Sequence, residues 1–321
     1  MKVAVLSGGR SSEHDVSLRS GAAVAAGLRA AGHEALELTI ARNGHWEQAA
    51  GTVELVPAGG LLGADVAFPV LHGPFGEDGS IQGLLEWLDV PYVGSDVLSS
   101  AICMDKLTLK RLFAAQGVPQ VAFAAVEGSD WWGRASALGL PLWVKPSRLG
   151  SSVGITRVES LDELDEAVEL ALRHDPRVIV EASATGREVE CSVLGNEDPL
   201  TSLPGEIVAN AEWYDFEAKY TEGGMELRVP APLEGDALER VRELAAETFA
   251  LAGCSGLARC DFFVEPGGEV LVNEINTMPG FTETSVYAKL LEASGIAYPE
   301  LCDRLIGLAV ERHRRARSYE F

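Results

Sequence analysis

The chain has 321 residues, 47% of them hydrophobic and 23% charged, which fits a globular protein of two or three domains. No apolar run reaches the roughly 18 residues that a membrane span needs. A net charge of −22 argues against nucleic acid as a partner and obliges any anionic ligand to find a locally basic pocket.

The opening residues, Met1 to Leu6, lead into Gly8 and Gly9 without the long apolar stretch of a signal peptide, so a cytoplasmic location is expected. Val3–Leu6 reads as an apolar strand, Ser17–Ala31 as an Ala-rich helix and Ala64–Val70 as a second buried strand. Pro91–Gly94 reads as a short strand leaving a helix. This rhythm predicts a parallel sheet with helices on both faces. Ligands on such sheets sit at the carboxyl ends of the strands, where Ser7-Gly8-Gly9 and Leu71-His72-Gly73 fall.

A helix from about Ser100 to Gln116 follows, closed by Gly117 and Pro119. Then come a strand near Val121–Ala125, a polar linker Glu127–Asp130 and a strand Leu142–Lys145. An acidic amphipathic helix Ser160–His174 and a strand Arg177–Glu181 complete a small α+β block. From Glu188 the pattern is mostly β, with a helix Asp236–Ala252 and then a hairpin. The division expected is 1–100, 101–187 and 188–321. Five scattered cysteines without a Cys-x-x-Cys pair predict buried, reduced thiols. The basic stretch Arg312–Arg317 reads as a solvated helix end whose cations face the helix dipole.

The hairpin carries the first chemical signal. Arg259 to Val264 is one strand, Glu265-Pro266-Gly267-Gly268 a turn, and Glu269 to Asn276 the returning strand. Side chains alternate, so Arg259 and Asp261 share a face, as do Glu274 and Asn276. Folding about the turn brings Asp261 opposite Glu274. Two carboxylates and an amide oxygen suit Mg²⁺; the alternative is that both acids merely pair with Arg259 on a solvated sheet face.

Lys145 ends a strand and is followed by Pro146 to Gly154, a loop rich in Gly and Ser. Small residues let backbone N–H groups approach phosphate, hydroxyls add donors and the lysine adds charge. An ordinary surface turn has the same composition, but a strand-terminal lysine just before it favours a nucleotide.

Six separated segments, in order, make the sequence resemble the D-alanine–D-alanine ligases of the ATP-grasp superfamily. They are Ser7 to Glu13, Leu71 to Gly79, Cys103 to Lys106, the Lys145 loop, Tyr214 to Tyr220 and Asn273 to Thr282. The resemblance implies a three-domain ATP-grasp architecture of α/β and α+β type, with an N-terminal parallel-sheet domain. It implies peptidoglycan precursor synthesis, and a homodimer. It places Lys106 and Lys145 on the ATP phosphates, helped by Ser151 and Ser152 of the loop, and Glu181 and Glu188 at the adenine edge and ribose. Asp261, Glu274 and Asn276 would hold two Mg²⁺, or Mn²⁺. Glu13 would bind the first D-alanine's ammonium, with His72 beside the substrates. Arg259 and the Gly280 N–H would face the acyl oxygen, and Ser285 the second carboxylate. Lys219 and Tyr220 would belong to a loop that closes over the site, linking Tyr220, Ser151 and Glu13. Where some members carry a Lys-Trp pair after the adenine-pocket glutamate, this chain has Ala182-Ser183, so cover for the base must come from elsewhere.

A carboxylate is too poor an electrophile to form an amide unaided. The expected reaction therefore makes an acyl phosphate from ATP and the first D-alanine, which the second D-alanine's amine attacks. D-Serine or D-lactate is the alternative acceptor; the resemblance makes Lys219-Tyr220 a sign of an amine acceptor. A nucleotide-binding regulator without chemistry would not need the full set of Lys106, Lys145, Arg259, Asp261, Glu274 and Asn276. A Rossmann dehydrogenase is disfavoured because Ser7-Gly8-Gly9 lacks the third glycine.

Overall fold

The computed structural model describes residues 1–48, 51–209 and 225–320. Among these residues the strands form three sheets. The first is built on β1 (Lys2–Gly8), from which α1 (His14–Ala30) leads to β2 (Glu34–Ile40). Short antiparallel strands β3 (Trp46–Gln48) and β4 (Gly51–Thr52) extend one edge, and β5 (Val66–Pro69) precedes α2 (Ser80–Leu88). Strands β2 and β5 flank β1, both parallel to it. Val3 and Val5 enter one core and Ala4 and Leu6 another, as a strand covered on both faces requires. Pro91–Gly94, expected as a strand, pairs only through the bridge from Tyr92 to Ala67. Gly8 is obligatory: its φ is +90°, and a Cβ there would lie 2.4 Å from the Ile40 carbonyl oxygen.

The single helix expected from Ser100 to Gln116 is two, α3 (Val97–Met104) and α4 (Lys106–Gln116). Asp105 breaks them. Its backbone is extended and its carboxylate caps α4 by accepting the Thr108 N–H at 3.0 Å. The same carboxylate accepts the Ser147 hydroxyl at 2.8 Å and pairs with Arg177 at 2.5 Å. The break thus fastens the start of α4, and Lys106 with it, to the base of the Lys145 loop.

The next sheet is antiparallel and comprises β6 (Phe123–Ala125), β7 (Leu142–Pro146), β8 (Thr156–Val158) and β9 (Val178–Ala182), in the order β6-β9-β7-β8. An unforeseen short helix, α5 (Trp131–Ser136), follows β6. Helix α6 (Leu164–Leu172), introduced by a 3₁₀ turn and a Ser160/Glu163 capping box, covers one face of the sheet.

The remaining sheet contains β10 (Arg187–Gly195), β11 (Leu200–Thr201), β12 (Gly205–Ala209) and β13 (Met225–Arg228). After α7 (Ala237–Leu251) it adds β14 (Gly256–Val264) and β15 (Val270–Asn276). Ala258, Cys260 and Phe262 of β14 point into the core that α7 covers. Alternation sends Arg259 and Asp261 to the opposite face. Helices α8 (Val286–Ala293) and α9 (Tyr298–Ala316) close the chain, and α9 packs back on the first sheet. Its basic end is not merely solvated: the Arg312 guanidinium lies 4.0 Å from the centre of the Tyr92 ring, and Arg317 pairs with Glu86 and Asp89. All five cysteines are buried and none forms a disulfide.

Candidate active site

The hairpin places its carboxylates by an irregularity. Val264 pairs with Val270, Phe263 with Leu271 and Phe262 with Val272, so regular pairing would set Asn273 opposite Asp261. Asn273 instead bulges, and Asp261 faces Glu274 while Arg259 faces Asn276. The bulge lets Val270, Val272 and Ile275 all reach the core while Glu274 and Asn276 face away from it. On the neighbouring strand Glu190 stands opposite Asp261. Three carboxylates, Glu190, Asp261 and Glu274, therefore form a row across β10, β14 and β15.

Cations relieve that row. Arg259 binds Asp261 through two hydrogen bonds, Nε to Oδ1 at 2.8 Å and Nη2 to Oδ2 at 2.7 Å, and its Nε lies 3.0 Å from Glu190. Burial works against the Arg259 charge, but Asp261 and Glu190 outweigh it and raise its pKa. Lys106 Nζ lies 3.2 Å from Glu274 and donates to the Leu149 carbonyl at 2.9 Å.

Across from the row lies the β6–β9 sheet. Trp143 and Lys145 share one face of β7, and Glu181 is paired with Trp143 from β9. The Glu181 carboxylate is buried between Lys145 at 2.6 Å and Lys110 at 3.0 Å. Burial alone would raise its pKa; the two lysines hold it down at about 2. Lys110, itself buried and lowered in pKa by desolvation, carried no sequence signal beyond its helical spacing from Lys106.

Two adjoining cavities result. The larger, about 270 Å³, lies between the two sheets and holds Lys106, Lys145 and the exposed Glu188. Val121, Trp143, Ile155 and Phe263 give it apolar walls. The smaller, about 80 Å³, is lined by Glu13, Glu77, Arg259, Asn276 and Gly280. Ser151 and Glu274 belong to both.

The Lys145 loop turns sharply over this junction. Ser151 and Ser152 have φ of +53° and +59°, a left-handed conformation that costs side-chain-bearing residues about 1 kcal/mol or more each. The turn lets the Ser151 hydroxyl donate to Glu13 at 2.5 Å. Gly73 leaves space for Glu13, since a Cβ there would sit 2.8 Å from its carboxylate.

Glu77, like Lys110 and Glu190, is a residue the sequence left without a role. Half-buried at the smaller cavity, it accepts from the Gly73 N–H at 2.6 Å and the Met278 N–H at 3.3 Å. Burial and the nearby Glu13 push its pKa up to about 8.

The expected residues are not all gathered here. His72 lines neither cavity: it is buried, with Nδ1 2.9 Å from the Met278 carbonyl and Nε2 3.1 Å from Ser20 Oγ. Ser285 lies just behind Gly280, precedes α8 and accepts the Thr282 N–H at 3.0 Å. Glu181 does line the larger cavity, with its carboxylate held by Lys110 and Lys145. Lys219 and Tyr220 lie outside the described residues.

A divalent ion fits the donors. Asp261, Glu274 and Asn276 share a face, and the cationic groups of Arg259 and Lys106 now stand against the two acids where a metal's charge would be needed. Among the described residues no three His, Cys, Asp or Glu converge as a cage, so the remaining ligands of such an ion must be other oxygens, as nucleotide phosphates supply.

Comparison with known proteins agrees with this geometry. The family model described as "D-ala D-ala ligase C-terminus" matches residues 112–307, and "D-ala D-ala ligase N-terminus" matches 2–60 and 57–95. The chain is 45% identical over 324 residues to the D-alanine–D-alanine ligase of Solibacter usitatus, covering 100% of this chain and 99% of that protein. It is 45% identical over 334 residues to the enzyme of the same name from Deinococcus radiodurans, covering 97% and 98%. Among solved structures, the D-alanine-D-alanine ligase from Coxiella burnetii superposes with a TM-score of 0.87 at 36% identity, over 99% of this chain and 96% of that one. The VanG D-Ala:D-Ser ligase from Enterococcus faecalis gives 0.86 at 35%, over 96% and 99%. With both domain models matched in order and relatives aligned from end to end, the chain belongs to the D-alanine–D-alanine ligase family.

Proposed function

We infer that the chain joins two D-alanine molecules at the expense of ATP, by way of a D-alanyl phosphate, to supply peptidoglycan precursor synthesis. One observation carries the assignment of roles: an apolar-walled chamber holding Lys106 and Lys145 and a smaller chamber holding Glu13, Arg259 and Gly280 share the wall formed by Lys106, Ser151 and Glu274. ATP fits the first and the amino acids the second, with the phosphoryl group passing at the shared wall.

Lys106 and Lys145 bind phosphate oxygens, and the Ser151–Ser152 turn offers N–H groups and hydroxyls to them. Glu188 takes the ribose hydroxyls and Glu181 lies at the adenine edge. Asp261, Glu274 and Asn276 would hold a pair of Mg²⁺ ions, or Mn²⁺, which supply charge neutralisation for the transferring group. Glu13, oriented by Ser151, holds the first ammonium. Arg259 and the Gly280 N–H stabilise the oxyanion when the second amine attacks. Ser285 orients the second carboxylate through the Gly280 segment. Lys219 and Tyr220 complete the closed site and exclude water from the acyl phosphate. The three-part division 1–100, 101–187 and 188–321, a homodimer and a cytoplasmic location belong to the same proposal.

The test is phosphate release and product analysis with ATP, Mg²⁺ and a panel of D- and L-amino acids and D-lactate. D-Alanine alone should support turnover and yield the dipeptide. Silence with D-alanine alongside turnover with D-alanine plus D-serine or D-lactate would replace the acceptor and sink this reading.

A further inference from the structure

The segment that carries Gly280 has no regular structure, yet five side chains hold the backbone of Met278 and Phe281. The Met278 carbonyl accepts from His72 Nδ1 at 2.9 Å, and the Met278 N–H donates to Asn276 Oδ1 at 3.2 Å and to Glu77 at 3.3 Å. The Phe281 N–H donates to Ser20 Oγ at 3.3 Å, and the Phe281 carbonyl accepts from the Tyr298 hydroxyl at 3.0 Å. Three of these five residues, Ser20, His72 and Glu77, belong to the N-terminal segment, on the far side of the smaller cavity from β14 and β15.

Two of the contacts are one chain. A carbonyl can only accept, so His72 Nδ1 carries the proton and Nε2 accepts, at 3.1 Å, from the Ser20 hydroxyl. Ser20 in turn accepts the Phe281 N–H. An unbroken line of hydrogen bonds thus runs from Phe281 through Ser20 and His72 to Met278, bridging the two residues that enclose Pro279 and Gly280. The ring is buried and lined by neither cavity, so it acts on the loop rather than on a ligand.

We propose that His72 and Ser20 are positioning residues for amide formation, fixing the Gly280 N–H toward the reacting carbonyl without touching either substrate. The proposal rests on the function inferred above. An oxyanion donor acts only from a set position, and a displacement of about 1 Å at a reacting centre costs on the order of 100-fold in rate. A Pro-Gly pair between two anchored residues has little freedom; with the anchors cut, it regains it.

The test uses the full-length protein and the variants His72→Ala, His72→Asn and Ser20→Ala. Steady-state kinetics with ATP, Mg²⁺ and D-alanine are paired with amide hydrogen exchange across residues 277–282. His72→Ala should lower kcat by roughly tenfold or more while KM for ATP and D-alanine moves less than about twofold. His72→Asn, which keeps a donor near Nδ1, should recover part of the loss. Exchange at Gly280 and Phe281 should quicken in His72→Ala and Ser20→Ala. A raised KM for D-alanine at unchanged kcat would make His72 a substrate contact and overturn the proposal; so would unchanged kcat, or unchanged exchange in both variants. Should the wild-type chain not ligate D-alanine, the functional reading fails while exchange still decides whether the clamp exists. Should His72→Ala not fold, His72→Asn and Ser20→Ala carry the same measurements.

Discussion

Glu190 and Asp261 stand directly opposite each other on β10 and β14, and one guanidinium, that of Arg259, binds both. Like charges so placed repel, and Glu274 extends the row on β15. The row is tolerable only with cations against it. Arg259→Met should therefore destabilise the metal-free protein by roughly 3 kcal/mol, the cost of leaving buried charge uncompensated. Added Mg²⁺ should restore part of this, and more than it adds to the wild type. Urea unfolding with and without Mg²⁺ reads both effects; an equal response in the two proteins would remove the row from the metal site.

Lys110 makes a parallel case on the other wall. It shares the Glu181 carboxylate with Lys145, buried. Lys110→Met should cost about 3 kcal/mol in folding free energy and, by leaving Lys145 as the sole counter-ion of Glu181, weaken its hold on phosphate. A raised KM for ATP with KM for D-alanine unmoved is the expected kinetic sign.

Ser151 ties the Lys145 loop to the N-terminal segment through Glu13. A hydrogen bond to a carboxylate contributes about 1.5–3 kcal/mol, so Ser151→Ala should lower kcat/KM for D-alanine by roughly 10- to 100-fold. Steady-state assays at saturating ATP check it. Retained activity would mean that Glu13 needs no such orientation.

Glu77 predicts a pH dependence. Its carboxyl is raised from 4.5 to about 8, so the folded state binds the proton more tightly than the unfolded chain. The stabilisation is present in full below about pH 4.5 and is lost as pH rises through about 8, with a slope of up to about 1.4 kcal/mol per pH unit. Glu77→Gln should flatten that slope. Unfolding curves in EDTA across this range compare the two proteins, and identical slopes would assign the proton elsewhere.

Much of this was legible in the sequence because it is periodic. Strand alternation placed Arg259 with Asp261 and Glu274 with Asn276, and the βαβ rhythm gave the parallel core of the first sheet. What alternation could not supply was the Asn273 bulge: Asp261 faces Glu274 only because burying Val270, Val272 and Ile275 together forces an extra residue out. The break at Asp105 was hidden for a similar reason, since its partners Ser147 and Arg177 lie far along the chain. Glu77, Glu190 and Lys110 went unassigned because their chemistry comes from burial beside other charges. His72 was misplaced because a motif gives proximity to a site without saying which way a ring faces.

The two cavities have a wall in common, and Lys106, Ser151 and Glu274 each present themselves to both sides of it. If nucleotide and amino acid occupy the two sides as proposed, a partition of this kind makes them mutually dependent lodgers. Whatever settles one face of Lys106 or turns Ser151 alters the room left on the other. Under the assignment proposed above, coupling between the two substrates then follows from the shared masonry alone.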